Sequence, residues 1–158
     1  MHARSRAAIV VCGAAAVAFA VPGSAGAVHA RGSAAGGNSV TVVEHAVTDT
    51  VVPTGGGKDV TGNVLTFHNQ VFDPSDKRVV GSDLGFCVRI SVSDGSWTCE
   101  WTTFLAKGQI NVAGPYYDAK NSVLAVTGGT GAYDGARGHM NLNSLKGGTE
   151  YDFIFHLK

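Results

Sequence analysis

Apolar and polar residues alternate with a period of two along most of this chain. From Ser39 onward, short β-branched and aromatic runs recur at ten- to fifteen-residue intervals. Val40–Val47 is the first, followed by Val64–Phe72, Leu84–Val92 and Trp97–Leu105. Gln109–Ala113, Ser122–Thr127, Ala136–Ser144 and Tyr151–Leu157 complete a set of eight. Pro53 and Gly55-Gly56-Gly57 break the chain after the first run. Ser93-Asp94-Gly95-Ser96 joins the third to the fourth. Asp-Gly between two such runs signals a hairpin, because both turn positions need φ > 0. No segment keeps a 3.6-residue period, so helices are few or absent. Eight short strands predict an all-β domain, either a sandwich or a closed antiparallel barrel. Closure removes edge strands, and eight strands enclose room for one small ligand.

The faces of two strands carry further information. Leu65, Phe67, Asn69 and Val71 share one face of the second run. Cys87, Arg89 and Ser91 share one face of the third, with Phe86, Val88, Ile90 and Val92 on the other. If the mixed face lines a lumen, the apolar face lies outside and needs a partner subunit. The opposite assignment, an apolar core and polar exterior, fits the periodicity equally well.

The amino terminus reads differently. Arg4 and Arg6 precede the apolar run Ala7–Val21, and Ser24-Ala25-Gly26-Ala27 follows. This is the pattern of a secretory signal peptide, cleaved after Ala27 or, as second choice, after Ala30. The apolar run is 15 residues, shorter than the roughly 20 that span a bilayer. The expected organisation is a signal peptide over 1–27, a loose arm over 28–38 and one barrel domain over 39–158. The expected location is secreted.

Charge and composition narrow the choice of partner. The chain has 12 basic and 12 acidic residues. Loss of Arg4 and Arg6 tips the processed chain acidic, and no basic cluster exists, which argues against nucleic-acid binding. The 22 glycines are about twice the usual share of roughly 7%, and among β-runs they mark turns.

Few residues stand out chemically. The histidines lack an i,i+4 or His-x-His spacing, and Cys87 and Cys99 lack a Cys-x-x-Cys spacing, so no metal motif is present. Gly128-Gly129-Thr130-Gly131 has no following helix and reads as a strand connection rather than a phosphate loop. Glu44 alternates with Val40, Val42 and Ala46. It either faces solvent or is buried with a raised pKa, which would suit a proton acceptor or electrostatic stabiliser. Cys87 and Cys99 are the two cysteines outside the leader, and exported chains usually pair them. A two-residue turn at Asp94-Gly95 would instead offset them by three positions, roughly 10 Å at about 3.3 Å per residue. That exceeds the roughly 7 Å between Cα atoms that a disulfide tolerates. A bulge or longer loop would remove the offset.

Several motifs carry a family resemblance. Gly62-Asn63-Val64-Leu65-Thr66-Phe67-His68-Asn69-Gln70-Val71-Phe72-Asp73 resembles the second-strand motif of plant allene oxide cyclases. Gly85-Phe86-Cys87-Val88-Arg89-Ile90, Val112-Ala113-Gly114-Pro115-Tyr116 and Leu124–Tyr133 are similar to further motifs of that family. Gly131–Gly138 is similar also to dirigent proteins, which share the barrel. The resemblance spans roughly Val40 to Lys158.

It implies an eight-stranded antiparallel barrel, usually trimeric, with an elongated apolar pocket. Family enzymes close an unsaturated fatty-acid epoxide to a cyclopentenone without a cofactor. Carried over by position, Glu44 matches the first-strand glutamate, and Pro53 a proline whose backbone helps hold a water. Phe67 and Asn69 match an aromatic wall and a water-holding amide. Cys87 and Tyr116 match pocket residues. Ala46 departs from the pattern, standing where the family has an asparagine. With Glu44 and Asn69 as catalytic groups, Arg89 becomes a candidate anchor for a substrate carboxylate or enolate. The implied function is a cofactor-free cyclase acting on an unsaturated, oxygenated small molecule. A dirigent-like protein that steers stereochemistry and a secreted lipophile carrier are the alternatives. The expected partners are a hydrophobic small molecule and further copies of the chain, as a dimer or trimer.

Overall fold

A computed structural model describes residues 38–158. The expected signal peptide, 1–27, and residues 28–37 of the expected arm lie outside the described residues. Asn38, assigned above to the arm, begins the first strand.

Nine strands follow: β1 (Asn38–His45), β2 (Thr50–Val52), β3 (Val64–Phe72), β4 (Val79–Ser91) and β5 (Ser96–Leu105), then β6 (Gly108–Tyr117), β7 (Ser122–Gly129), β8 (Gly138–Leu145) and β9 (Glu150–Leu157). One 3₁₀ turn, Gly131–Tyr133, is the single helical element among the described residues. Neighbours pair antiparallel from β3 through β9, β9 pairs with β1, and β1 returns to β3. Eight strands thus form a closed barrel. The ninth, β2, is a short addition that continues the line of β1 along β3, pairing Thr50–Val52 with Thr66–Val64. Ala46–Asp49 separate the two pieces.

Alternation decides what fills the barrel. On β9, Tyr151, Phe153, Phe155 and Leu157 are buried, while the residues between them are partly exposed. Val71, Ile110, Met140 and Phe155 are fully enclosed within the barrel. The polar inward residues are Glu44 on β1, Asn69 on β3, and Asp83 and Arg89 on β4. On β4 the mixed face therefore points inward. The apolar face points out, leaving Leu84, Phe86 and Ile90 about half exposed, with Val92 just beyond the strand.

The β4–β5 hairpin resolves the cysteine offset. Its loop is longer than the two-residue turn predicted by Asp94-Gly95, since Ser91 pairs with Ser96. A register shift between Arg89 and Ser91 adds a bulge. Together they set Cys87 opposite Cys99, with Cα atoms 4.0 Å apart, and the two are joined by a disulfide.

Candidate functional site

Part of the lumen is left open as a small cavity of about 50 Å³. Glu44 and Asp49 line one side. Phe67, Trp101, Tyr116, Tyr151 and Phe153 form aromatic walls, and the Cys87–Cys99 disulfide forms part of the surface. Leu65 and Leu142 complete the lining. None of these residues is basic.

Gly85 opens this space. It stands between Phe67 on β3 and Trp101 on β5, in register with both. A Cβ there would come within 2.3 Å of the Trp101 Cβ and 2.5 Å of the Glu100 carbonyl oxygen. Glycine lets the strands draw together, and the Phe67 and Trp101 rings meet edge to face at 6.0 Å.

Asn69 organises the polar side. Its Nδ2 donates to Glu44 Oε1 and to Asp49 Oδ1, both at 2.7 Å. Its Oδ1 accepts from the backbone N–H groups of Val47 and Thr48 at 3.1 and 2.9 Å, and from the Thr48 hydroxyl at 3.0 Å. Its own N–H donates to Asp83 Oδ1 at 3.2 Å. One residue thus fixes the Ala46–Asp49 bend and holds three carboxyl groups, two through its side-chain amide and Asp83 through its backbone N–H. No lysine or arginine pairs with any of the three among the described ion pairs. Burial, with the neighbouring Asp83 charge, pushes the Glu44 pKa well above its ordinary value, against the Asn69 bond that lowers it. Burial likewise pushes Asp83 up to about 7. Across the cavity the Tyr116 and Tyr151 hydroxyls share a hydrogen bond of 3.0 Å. Burial raises the pKa of both phenols, so both stay protonated at neutral pH.

The structure therefore brings together Glu44, Asn69, Phe67, Cys87 and Tyr116. The disulfide leaves Cys87 on the cavity wall but removes its thiol. Two other sequence candidates lie elsewhere. Pro53 lines a separate surface depression with Asn63, Arg89 and Trp97. Arg89 is turned to structural use: its Nε and Nη2 donate to Asp59 at 3.0 and 2.8 Å, and its Nη1 donates to Asp118 at 2.6 Å. Its guanidinium also stacks over Trp97, 3.9 Å from the ring centre, while the indole N–H donates to Asp118 at 2.8 Å. With two carboxylates already bound, Arg89 is not a free anchor for an anionic ligand.

Asp49, Asp83, Trp101 and Tyr151 were not singled out by the sequence. Asp83 precedes the predicted start of its strand at Leu84. Extending the alternation Cys87, Gly85 back by two would have placed it inward. Asp49 lies in a bend with no periodicity to read. A further group, His45, Asp76 and Glu150, meets at the barrel rim from three distant segments, which no local spacing reveals. The Lys146 ammonium bonds to Glu150 at 2.7 Å and Asp76 at 3.3 Å. It already supplies the positive charge there. No helix among the described residues is long and apolar enough to cross a membrane.

Comparison with known proteins agrees with this architecture. A family model described as allene oxide cyclase matches residues 44–158. Among solved structures, a pyocyanin demethylase superposes with a TM-score of 0.64 at 21% identity, covering 75% of this chain and 100% of that one. A pterocarpan synthase dirigent protein gives 0.63 at 20%, covering 77% and 96%. A Diels-Alderase from Streptomyces koyangensis gives 0.57 at 13%, covering 77% and 67%. At these identities the likeness is one of fold.

Proposed function

The chain belongs to the allene oxide cyclase family, and from that premise we propose that its lumen binds an unsaturated, oxygenated small molecule and closes it to a ring without a cofactor. The observation that carries this reading is the Glu44–Asn69 pair, buried at the wall of an aromatic cavity. Aromatic walls hold a flexible chain in a folded, ring-closing shape, which removes much of the entropic barrier. Charge that develops on a delocalised carbon system is offset by a fixed carboxylate in a dry site. The cavity lining carries two acids and no base, and Arg89 is committed to Asp59 and Asp118. This favours a neutral reacting segment such as a polyene or an epoxide over a buried fatty-acid carboxylate.

The test is turnover of an unsaturated epoxide or polyene precursor by the wild type and by Glu44→Gln, which keeps shape and removes charge. Loss of at least about 100-fold in kcat is expected for a group of this kind. Equal rates would overturn the assignment.

The family resemblance of Gly131–Gly138 to dirigent proteins, and the fold shared with one, favour a second reading. In it the barrel steers the stereochemistry of an intermediate made elsewhere. An unchanged coupling rate with a changed enantiomer ratio would select it. In either reading the protein is exported, and its exposed β4 face is covered by another copy.

A further inference from the structure

Below the cavity wall the barrel buries a second carboxyl group, Asp83, that no motif marks. Asp83 is 0% exposed and Glu44 is 5% exposed. Asn69 holds both, Glu44 through its side chain and Asp83 through its backbone N–H. The two carboxyls lie within hydrogen-bonding reach of each other. Asp83 Oδ2 has no donor from any other residue, and the hydroxyl of Thr103, its cross-strand neighbour on β5, is also unpartnered. The groups facing the pair are Asp49 from the bend after β1, Asn69 from β3, Trp101 and Thr103 from β5, and Tyr151 from β9. None is a cation.

Two carboxylates in such a place repel one another and lack the water that would screen them. One proton between them removes a charge and supplies the missing hydrogen bond, so the pair titrates as a unit. We propose that Glu44 and Asp83 share a single proton at neutral pH, which makes the lumen an acid–base centre. Glu44 exchanges that proton with the ligand, and Asp83 is a positioning residue acting through it. The proposal rests on the lumen being a reaction site.

The chemistry balances without a co-reactant. Glu44 gives its proton to the oxygen of an epoxide, one carbon of which belongs to a carbon–carbon double bond, as the bond from oxygen to the other carbon breaks and its electrons remain on oxygen. The resulting hydroxyl-bearing, delocalised carbocation lies beside two carboxylates that offset its charge. A carbon–carbon bond then closes the ring. The hydroxyl proton returns to Glu44 as the oxygen becomes a carbonyl. The product is an isomer, and the pair ends as it began.

The experiment is a carbon-13 NMR titration of the protein labelled at its Asp and Glu carboxyl carbons, with no ligand, from pH 4 to 9. Wild type should show two linked steps, one of them well above the ordinary carboxylate range. In Asp83→Asn, Glu44 should titrate in one step, its acid dissociation constant raised about tenfold or more by loss of the neighbouring charge. If both wild-type carboxyls titrate independently below pH 5, or if Glu44 titrates unchanged in Asp83→Asn, the proposal fails. Should that variant not fold, the wild-type curve alone decides. Linked titration without turnover of any epoxide would sink the cyclase reading and leave the shared proton standing. Turnover with independent titration would do the reverse.

Discussion

Asn69 carries more of this site than any other side chain. Its amide accepts from two backbone N–H groups and donates to two carboxylates. Truncation leaves these groups unpaired in a largely dry setting, at about 1–3 kcal/mol for each buried group. Asn69→Ala is therefore expected to lower unfolding free energy by roughly 2–4 kcal/mol in urea titration. Gly85→Ala tests the cavity from the neighbouring strand, β4. Its methyl would strike the Trp101 Cβ and the Glu100 carbonyl oxygen, and overpacking of this sort costs about 1–3 kcal/mol. Asp83 makes stability depend on pH. Its folded-state pKa is raised to about 7, against about 3.9 for an unperturbed Asp. The folded protein thus binds this proton more tightly, a contribution complete below the unfolded value and lost as pH rises through about 7. Thermal midpoints should fall between pH 5 and 8 in wild type and fall less steeply in Asp83→Asn, where burial still raises the Glu44 pKa. A slope unchanged by that substitution would mean Asp83 ionises freely in the fold.

At the scale of elements, the β4–β5 hairpin is the frame of the site. Its disulfide closes a loop with a sequence separation of 12, which constrains the unfolded chain by about 2–3 kcal/mol. Replacing both cysteines by serine should lower stability by that order, seen as a shift in the urea midpoint. Reagents that label free thiols on denatured, unreduced protein should leave Cys87 and Cys99 unmodified. Arg89, at the carboxyl end of β4, ties Asp59 and Asp118 to this frame, one from each flanking loop. The longer loop and the bulge bring Cys87 opposite Cys99. Asp94-Gly95 correctly marks the turn, but not its length. Asp118, which lies beyond the hairpin, accepts from Arg89 and Trp97 and donates its N–H to the Gly95 carbonyl, contacts that hold the longer loop.

For the whole molecule, the unusual surface is the outer face of β4. Leu84, Phe86 and Ile90 are 44%, 46% and 52% exposed, a concentration of apolar area that monomers rarely leave bare. Light scattering coupled to gel filtration is expected to give a dimer or trimer, and Phe86→Glu with Ile90→Glu to give a smaller species. A monomeric wild type would overturn the role given to this face.

The sequence by itself determined the class of fold and much of the ligand wall. Period-two alternation and Gly-rich turns encode eight strands, because side-chain direction in a strand is a local property of the backbone. Glu44 stood out as a carboxylate within such a run, and Phe67 and Asn69 through the family resemblance of theirs. The orientation of β4 needed the tertiary structure, since either face of a strand can point inward until the sheet closes. Arg89 was legible as an inward or exposed cation, but Asp59 and Asp118, each roughly 30 residues away in sequence, decide that it is structural. Asp83 gains its meaning only where β1, β3 and β4 set it against Glu44 without a cation. Strand formation is local and was readable, whereas the charge a buried group can bear depends on everything folded around it.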